Sequence, residues 1–500
     1  MQFKRIKPLE VLLAEAGQDD PTEAALREPK TLKKSLGAAS LTAMGIGAII
    51  GTGIFVLTGV DSAKFAGPSL TISFIIAGVV SALAALCYSE VASRIPISGS
   101  AYTFAYASFG EMIAWIIGWD LVLEYALGAA TVSIGWSGYF STVLKNVGLV
   151  IPEALLHNHW DTGPMGQPVN GIMNLPAFCI ILLIGVLLYR GTRESALVNN
   201  VIVAIKVLIV VFFIIVGIGH VDQANWTPYF PFGWHGTLFG AFFIFFAYIG
   251  FDAVSTAAEE TKNPKRDLPI GIIGSLAICT VLYIIVAAIL TGMVSYTQLN
   301  VPQPVAYAIE HVGMGGWASL LVSLGAIAGL TTVLLVMMFG QTRVFFAMSR
   351  DGLLPPVFSR LHPKFRTPGL STILFTLFIA LVAAFTPISV VGSLTNMGTL
   401  AAFVLVSLAL PILRSRYPNT QGFTVPFGPY IIPYTSALCA FLLLLAPFLD
   451  TGVGHVMGIP LPWFGFIVWL LVGLVVYFAY GRSHSHVGIQ ESAAPAQPAQ

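Results

Sequence analysis

Apolar residues in this chain come in long blocks, without the two-residue period of a half-buried strand. A block of about twenty apolar residues matches a helix that crosses the ~30 Å hydrocarbon core of a bilayer at 1.5 Å per residue. Twelve blocks of this kind are predicted, at residues 38–60, 68–92, 112–138, 173–190, 196–218, 236–258, 269–292, 316–346, 371–386, 390–413, 429–449 and 461–481. The pattern predicts an all-α integral membrane protein with 12 transmembrane helices, and an even number returns both ends to one side.

Charge orients these spans. With the N-terminus inside, 21 of the 24 Lys and Arg residues fall before residue 38 or on alternate connections, leaving only Lys64, Lys145 and Lys206 elsewhere. Cytoplasmic connections retain positive charge, and a miscounted span would scramble every later loop. Both termini are therefore expected in the cytoplasm, with the protein in the plasma (inner) membrane.

Composition agrees: 56% of the 500 residues are hydrophobic and 9% charged, against about 25% charged in soluble domains. A net charge of +1 gives no reason to expect a nucleic-acid partner. No cleavable signal peptide is expected, because the first apolar block begins near residue 38 behind a charged, Pro-containing segment. Cys87, Cys179, Cys279 and Cys439 lie far apart in apolar blocks and read as core residues. The connection 139–172 carries His157 and His159, a spacing that suits zinc but suits a solvated loop better. Residues 1–37 read as a cytoplasmic segment with a short amphipathic helix after Pro8, and residues 482–500 as a disordered cytoplasmic tail.

Lys206 stands alone in the fifth block, with no other charged residue between Glu194 and Asp222. A cation at that depth costs about 3 kcal/mol or more unless it faces a polar cavity or sheds its proton. Such a lysine either carries protons or ties backbone carbonyls of two helices together.

Two blocks contain breaks, five spans apart. The first holds glycines at 45, 47, 51 and 53; the sixth reads FFAYIGFD over 245–252 and ends on an acid. Closely spaced glycines either permit close helix packing or permit unwinding, which membrane depth tolerates only at a protein-buried or watery cavity. Gly-interrupted helices in corresponding halves point to a transporter site at the midplane. Free N–H groups of Gly51, Thr52 and Gly53 would receive a carboxylate at a helix start. Freed carbonyls around Ala48, Ile49, Phe246, Ala247 and Ile249 would accept an ammonium, so the pair of breaks suits an α-amino acid.

Catalysis in the membrane would need a nucleophile with its base, or a metal cluster, and no span shows either. No phosphate-binding GxxxxGK[ST] loop occurs, so energy must come from a gradient. No enzyme activity, metal or cofactor is expected.

Four stretches, LTAMGIGAIIGTGIF (41–55), GWDLVLEY (118–125), FAYIGFDAVSTAAEETKNPKRDLP (246–269) and MSRDGLLP (348–355), resemble the amino acid, polyamine and organocation superfamily, and within it bacterial homologues of the cationic amino acid transporters. The resemblance covers about residues 30–481. It implies a sodium-coupled leucine transporter-like fold: a 5+5 inverted repeat (38–218 and 236–413) with discontinuous helices 1 and 6, then two peripheral helices (429–481). It implies that Lys206 occupies the place of a coupling sodium between spans 1 and 8, where Ser323, Thr331 and Thr332 lie. It further implies that Glu124 and Asp252 take part in transport and that Phe246 closes over the substrate. From sequence alone Phe246 reads as packing, the two acids as partners for unwound backbone, and Asp120, one turn before Glu124, as a wet-cavity residue.

The expected function is proton-coupled symport of L-amino acids, small neutral ones such as alanine first and cationic ones second. An amino acid exchanger of the same fold and a transport-derived amino acid sensor are the alternatives. The expected partners are the amino acid and the lipid bilayer, with no obligatory partner subunit.

Overall fold

The computed structural model describes residues 5–8, 36–95, 101–162, 167, 169–191, 196–418, 422–449 and 454–493. The amphipathic helix expected after Pro8 and the last seven residues lie outside them. The main helices are α1 (Ala38–Ile49), α2 (Leu70–Arg94), α3 (Ala101–Ser108), α4 (Glu111–Asn146), α5 (Leu175–Arg190), α6 (Ala196–Ile218), α7 (Gly233–Ile244), α8 (Pro264–Met293), α9 (Pro304–His311), α10 (Gly316–Arg350), α11 (Gly369–Phe385), α12 (Ile388–Arg416), α13 (Ile431–Leu444), α14 (Leu461–Val476) and α15 (His486–Ala493). A two-stranded hairpin, β1 (His455–Val456) and β2 (Ile459–Pro460), precedes α14.

Eight helical segments among the described residues are long and apolar enough to cross a membrane, the first running 57 residues from Ala38 to Arg94; α5, α11 and α13 are shorter apolar helices. Local chemistry sets their ends. Asn174 caps α5 by accepting from the Ala177 N–H at 3.1 Å, and Gly191 closes it at φ +82°. The helix predicted to end at 138 continues to Asn146, because only Gly148, at φ +85°, stops it. The expected disordered tail is corrected in part: His486–Ala493 is helical, docked where the His486 N–H donates to Asp351 O at 3.1 Å.

α4 and α10 form the central packed pair; α8 lies against α1 and α2, and α12 against α4 and α13. The outside of the bundle is apolar: Leu208, Ile215 and Val475 are each about two-thirds exposed, as lipid contact allows. Polar residues turn inward instead, Asp61, Glu90, Glu124, Lys206 and Gln341 among them. On the connection after α4, His157 meets Asp161 at 3.4 Å and His159 packs edge-on to Trp160; no group of metal-binding side chains occurs among the described residues.

Candidate functional site

The first break follows α1. Ile50 is extended (ψ 103°), and helix resumes as a wide π-turn over Gly53–Leu57. The N–H groups of Gly51, Thr52 and Gly53 head this second half, where no preceding turn offers acceptors. The Thr52 hydroxyl beside them is buried without a hydrogen-bond partner.

The second break follows α7. The helix tightens into a 3₁₀ turn at Phe245–Tyr248, extends at Ile249 (ψ 135°), turns through Gly250 at φ +116° and resumes as Phe251–Glu260. That φ suits glycine alone among common residues. A Cβ on Gly250 would also lie 2.8 Å from the Ala48 carbonyl oxygen, and one on Gly53 would overlap the Ala247 Cα. Backbone thus meets backbone where the two breaks cross. Tyrosines hold them to neighbouring helices: Tyr283 of α8 donates its hydroxyl to Ile49 O, and Tyr248 of the second break donates to Phe74 O of α2, each at 2.8 Å. Phe246, Ala247 and Ile249 are all buried here.

Lys206 enters from α6. It is 1% exposed, and its ammonium donates to Gly47 O in α1 at 2.8 Å. Its stem runs along Gly329 of α10, where an added Cβ would come within 2.8 Å of Cε. The hydroxyls expected to share the ammonium do something else. Thr331 donates to Ile327 O and accepts from the Trp136 indole, Thr332 donates to Gly329 O, and the buried Ser323 hydroxyl has no partner. The lysine therefore ties α6 to the α1 main chain, with its stem packed on Gly329 of α10, where a side chain would collide with it.

Asp120 and Glu124 project from α4, both buried, and Glu124 is within electrostatic reach of both Asp120 and Asp252 at the second break. One Asp120 carboxylate oxygen lacks a hydrogen-bond partner and lies against Gly398 of α12, whose added Cβ would approach it to 2.8 Å. Glu124 thus has an acid on either side, Asp120 on its own helix and Asp252 at the second break, while Lys206 bonds α1 just before the first.

Sequence reasoning missed two residues. Asn396 of α12 donates to both Phe242 O and Phe243 O at 2.8 Å, satisfying carbonyls that the change from α to 3₁₀ helix frees; an Asn inside a Ser/Thr/Gly-rich span was the available signal. Asp61 is wholly buried and neither carboxylate oxygen has a partner; it falls one residue past the first predicted span.

A family profile described as amino acid permease matches residues 36–475. The chain is 46% identical to the methylthioribose transporter of Bacillus subtilis over 482 residues, covering 96% of this chain and 98% of that protein. It is 48% identical to the branched-chain amino acid permease BcaP of Bacillus subtilis over 467 residues, covering 92% and 96%. It is 38% identical to the vacuolar cationic amino acid transporter 4 of Arabidopsis thaliana over 401 residues, covering 78% and 65%. A broken-helix membrane bundle matched over nearly its whole length by permeases is a permease itself: the chain belongs to the amino acid permease family of the amino acid, polyamine and organocation superfamily.

Proposed function

We propose that the chain is a secondary active transporter that carries L-amino acids into the cell across the plasma membrane, coupled to protons, by alternating access. Lys206 carries this reading: a buried ammonium resting on the backbone of one broken helix and threaded past a glycine of another. Gain or loss of a proton there strengthens or weakens the link between α6 and the α1 backbone, beside α10.

The substrate lies where the breaks cross. Its carboxylate meets the N–H groups of Gly51, Thr52 and Gly53, and its ammonium meets carbonyls of Ile49, Phe246, Ala247 and Ile249. Phe246 covers it, and Glu124 and Asp252 orient the second break or share the proton. The chain crosses twelve times: the 57-residue first segment is long enough for two passages at 1.5 Å per residue, and the three shorter helices supply the others. Its first ten spans form the inverted 5+5 repeat, with both termini cytoplasmic as the Lys and Arg distribution requires. Small neutral amino acids are preferred, with cationic ones second; relatives named for branched-chain and for cationic amino acids support an amino acid as the substrate. No cofactor is involved, protons being the coupling ion, and no partner subunit is required.

The test is uptake of labelled alanine and arginine by liposomes under an inward proton gradient without sodium, with Lys206→Ala alongside and methylthioribose as competitor. Concentrative uptake by the native protein, lost in the variant, is expected. Uptake only into preloaded liposomes, indifferent to pH, would make the protein an exchanger. Transport of methylthioribose without either amino acid would overturn the substrate assignment.

A further inference from the structure

Asp61 ends the short turn Thr58–Asp61, in the half of the first span beyond its break. It is 0% exposed and neither carboxylate oxygen has a hydrogen-bond partner. Across from it is Gly240 of α7, the half of the sixth span before its break; a Cβ there would lie 2.8 Å from Asp61 Oδ1 and 2.9 Å from Ser73 Oγ.

The hydroxyls of this seam serve backbone or one another. Ser62 donates to Gly59 O, Ser69 to Ala66 O, Ser73 to Thr237 O, and Ser69 and Thr237 lie 2.6 Å apart. Phe65 seals the seam edge-on against Phe239 and Phe243. Among the described residues no charge faces Asp61. Lys64, one turn on, has Asp161 as its electrostatic partner. In α7 the ionisable His235 is exposed at the start of the helix. In α9, Tyr307 reaches towards Gln298 and stacks near His311, while Glu310 accepts from Ser319. The ionisable Tyr88, Glu90 and Arg94 of α2 sit at its far end. An ionised carboxylate buried without a hydrogen-bond partner is strongly disfavoured.

We propose that Asp61 is a proton-binding latch of the outer gate: the protonated acid lets the outer halves of the two broken spans close against each other, and its ionisation opens them. This rests on the orientation and alternating access proposed above. Because the seam closes only over the neutral acid, opening favours proton release, and a rising external pH favours the open gate. The proton enters and leaves on the same side, so the latch sets how transport responds to external pH without adding to the protons carried.

The experiment measures KM for the transported amino acid against external pH in liposomes, with the proton-to-substrate ratio from reversal potentials, for the native protein and Asp61→Asn. The amide mimics the protonated acid. A weaker pH dependence of KM, keeping only the part that Lys206 carries, with an unchanged ratio is expected. A native-like pH profile in the variant overturns the latch, and an altered ratio makes Asp61 a proton carrier and overturns it too. Hydrogen exchange on the native protein, corrected for intrinsic rate, gives a readout independent of the variant's folding: protection of residues 53–69 and 233–244 should fall as pH rises, and constant protection overturns the proposal. Absence of proton-driven uptake by the native protein would sink the coupling reading while leaving the exchange result to judge the latch.

Discussion

Single side chains in this protein are matched to main chain more than to other side chains, and that is why some were legible in the sequence and their partners were not. Lys206 stands out because a lone cation in a twenty-residue apolar block has no cheap explanation. Its acceptor, the Gly47 carbonyl, is an atom every residue has, so the sequence offers no mark of it. Hydroxyls at 323, 331 and 332 drew attention because side chains are visible in sequence, yet none of them bonds the ammonium. Asn396 shows the same economy from the other direction. Its amide serves two carbonyls at the end of α7, and Asn396→Asp can donate to at most one of them, and only when protonated. Leaving buried acceptors unpaired costs about 1–3 kcal/mol each. A fall in thermal stability of the detergent-solubilised protein is expected, together with weakened substrate binding; a variant as stable as the native protein would show that the α7 carbonyls find other donors.

Among elements, the apolar blocks lie on helices, and eight helical segments among the described residues are long enough to cross a membrane, because block length and bilayer thickness impose the same constraint. Places where helices fail were harder to locate. Glycine spacing announced a break in the first span, and the structure puts it at Ile50–Gly51. In the sixth span only Gly250 marks the turn, flanked by 3₁₀ helix that no periodicity distinguishes from α. Gly250→Ala tests that geometry. The substitution places a Cβ both in a left-handed conformation and against the Ala48 carbonyl, with strain of about 1–3 kcal/mol. Loss of transport that exceeds the loss of stability is expected, measured as uptake per folded molecule; equal uptake would mean that the breaks need not touch.

Over the whole molecule, the ends of α2, α4, α10 and α12 are held by a few buried ion pairs. Glu90 accepts from Arg94 at 2.8 Å, from Arg414 through both oxygens, and from the Val425 N–H at 2.7 Å. Glu111 gathers Arg5, Tyr477 and Ser485, and Asp351 gathers Lys7 and Tyr102. Chain segments hundreds of residues apart meet at these acids, which no local pattern forecasts. Breaking a buried pair by removing one partner costs about 3–5 kcal/mol, so Glu90→Gln should lower the unfolding temperature markedly. An unchanged melting curve would show that Arg414 and Arg94 find solvent once released.

The crossing of the breaks and the path of Lys206 have one thing in common: at Gly53, Gly250 and Gly329 the decisive part is a missing methyl group. Machinery made of omitted atoms has no side chain to cut away, so trimming its residues to alanine adds bulk where trimming elsewhere removes it. The mutational map of this protein is therefore inverted at its centre, where the smallest residues are the least replaceable and conventional truncation acts as an obstruction.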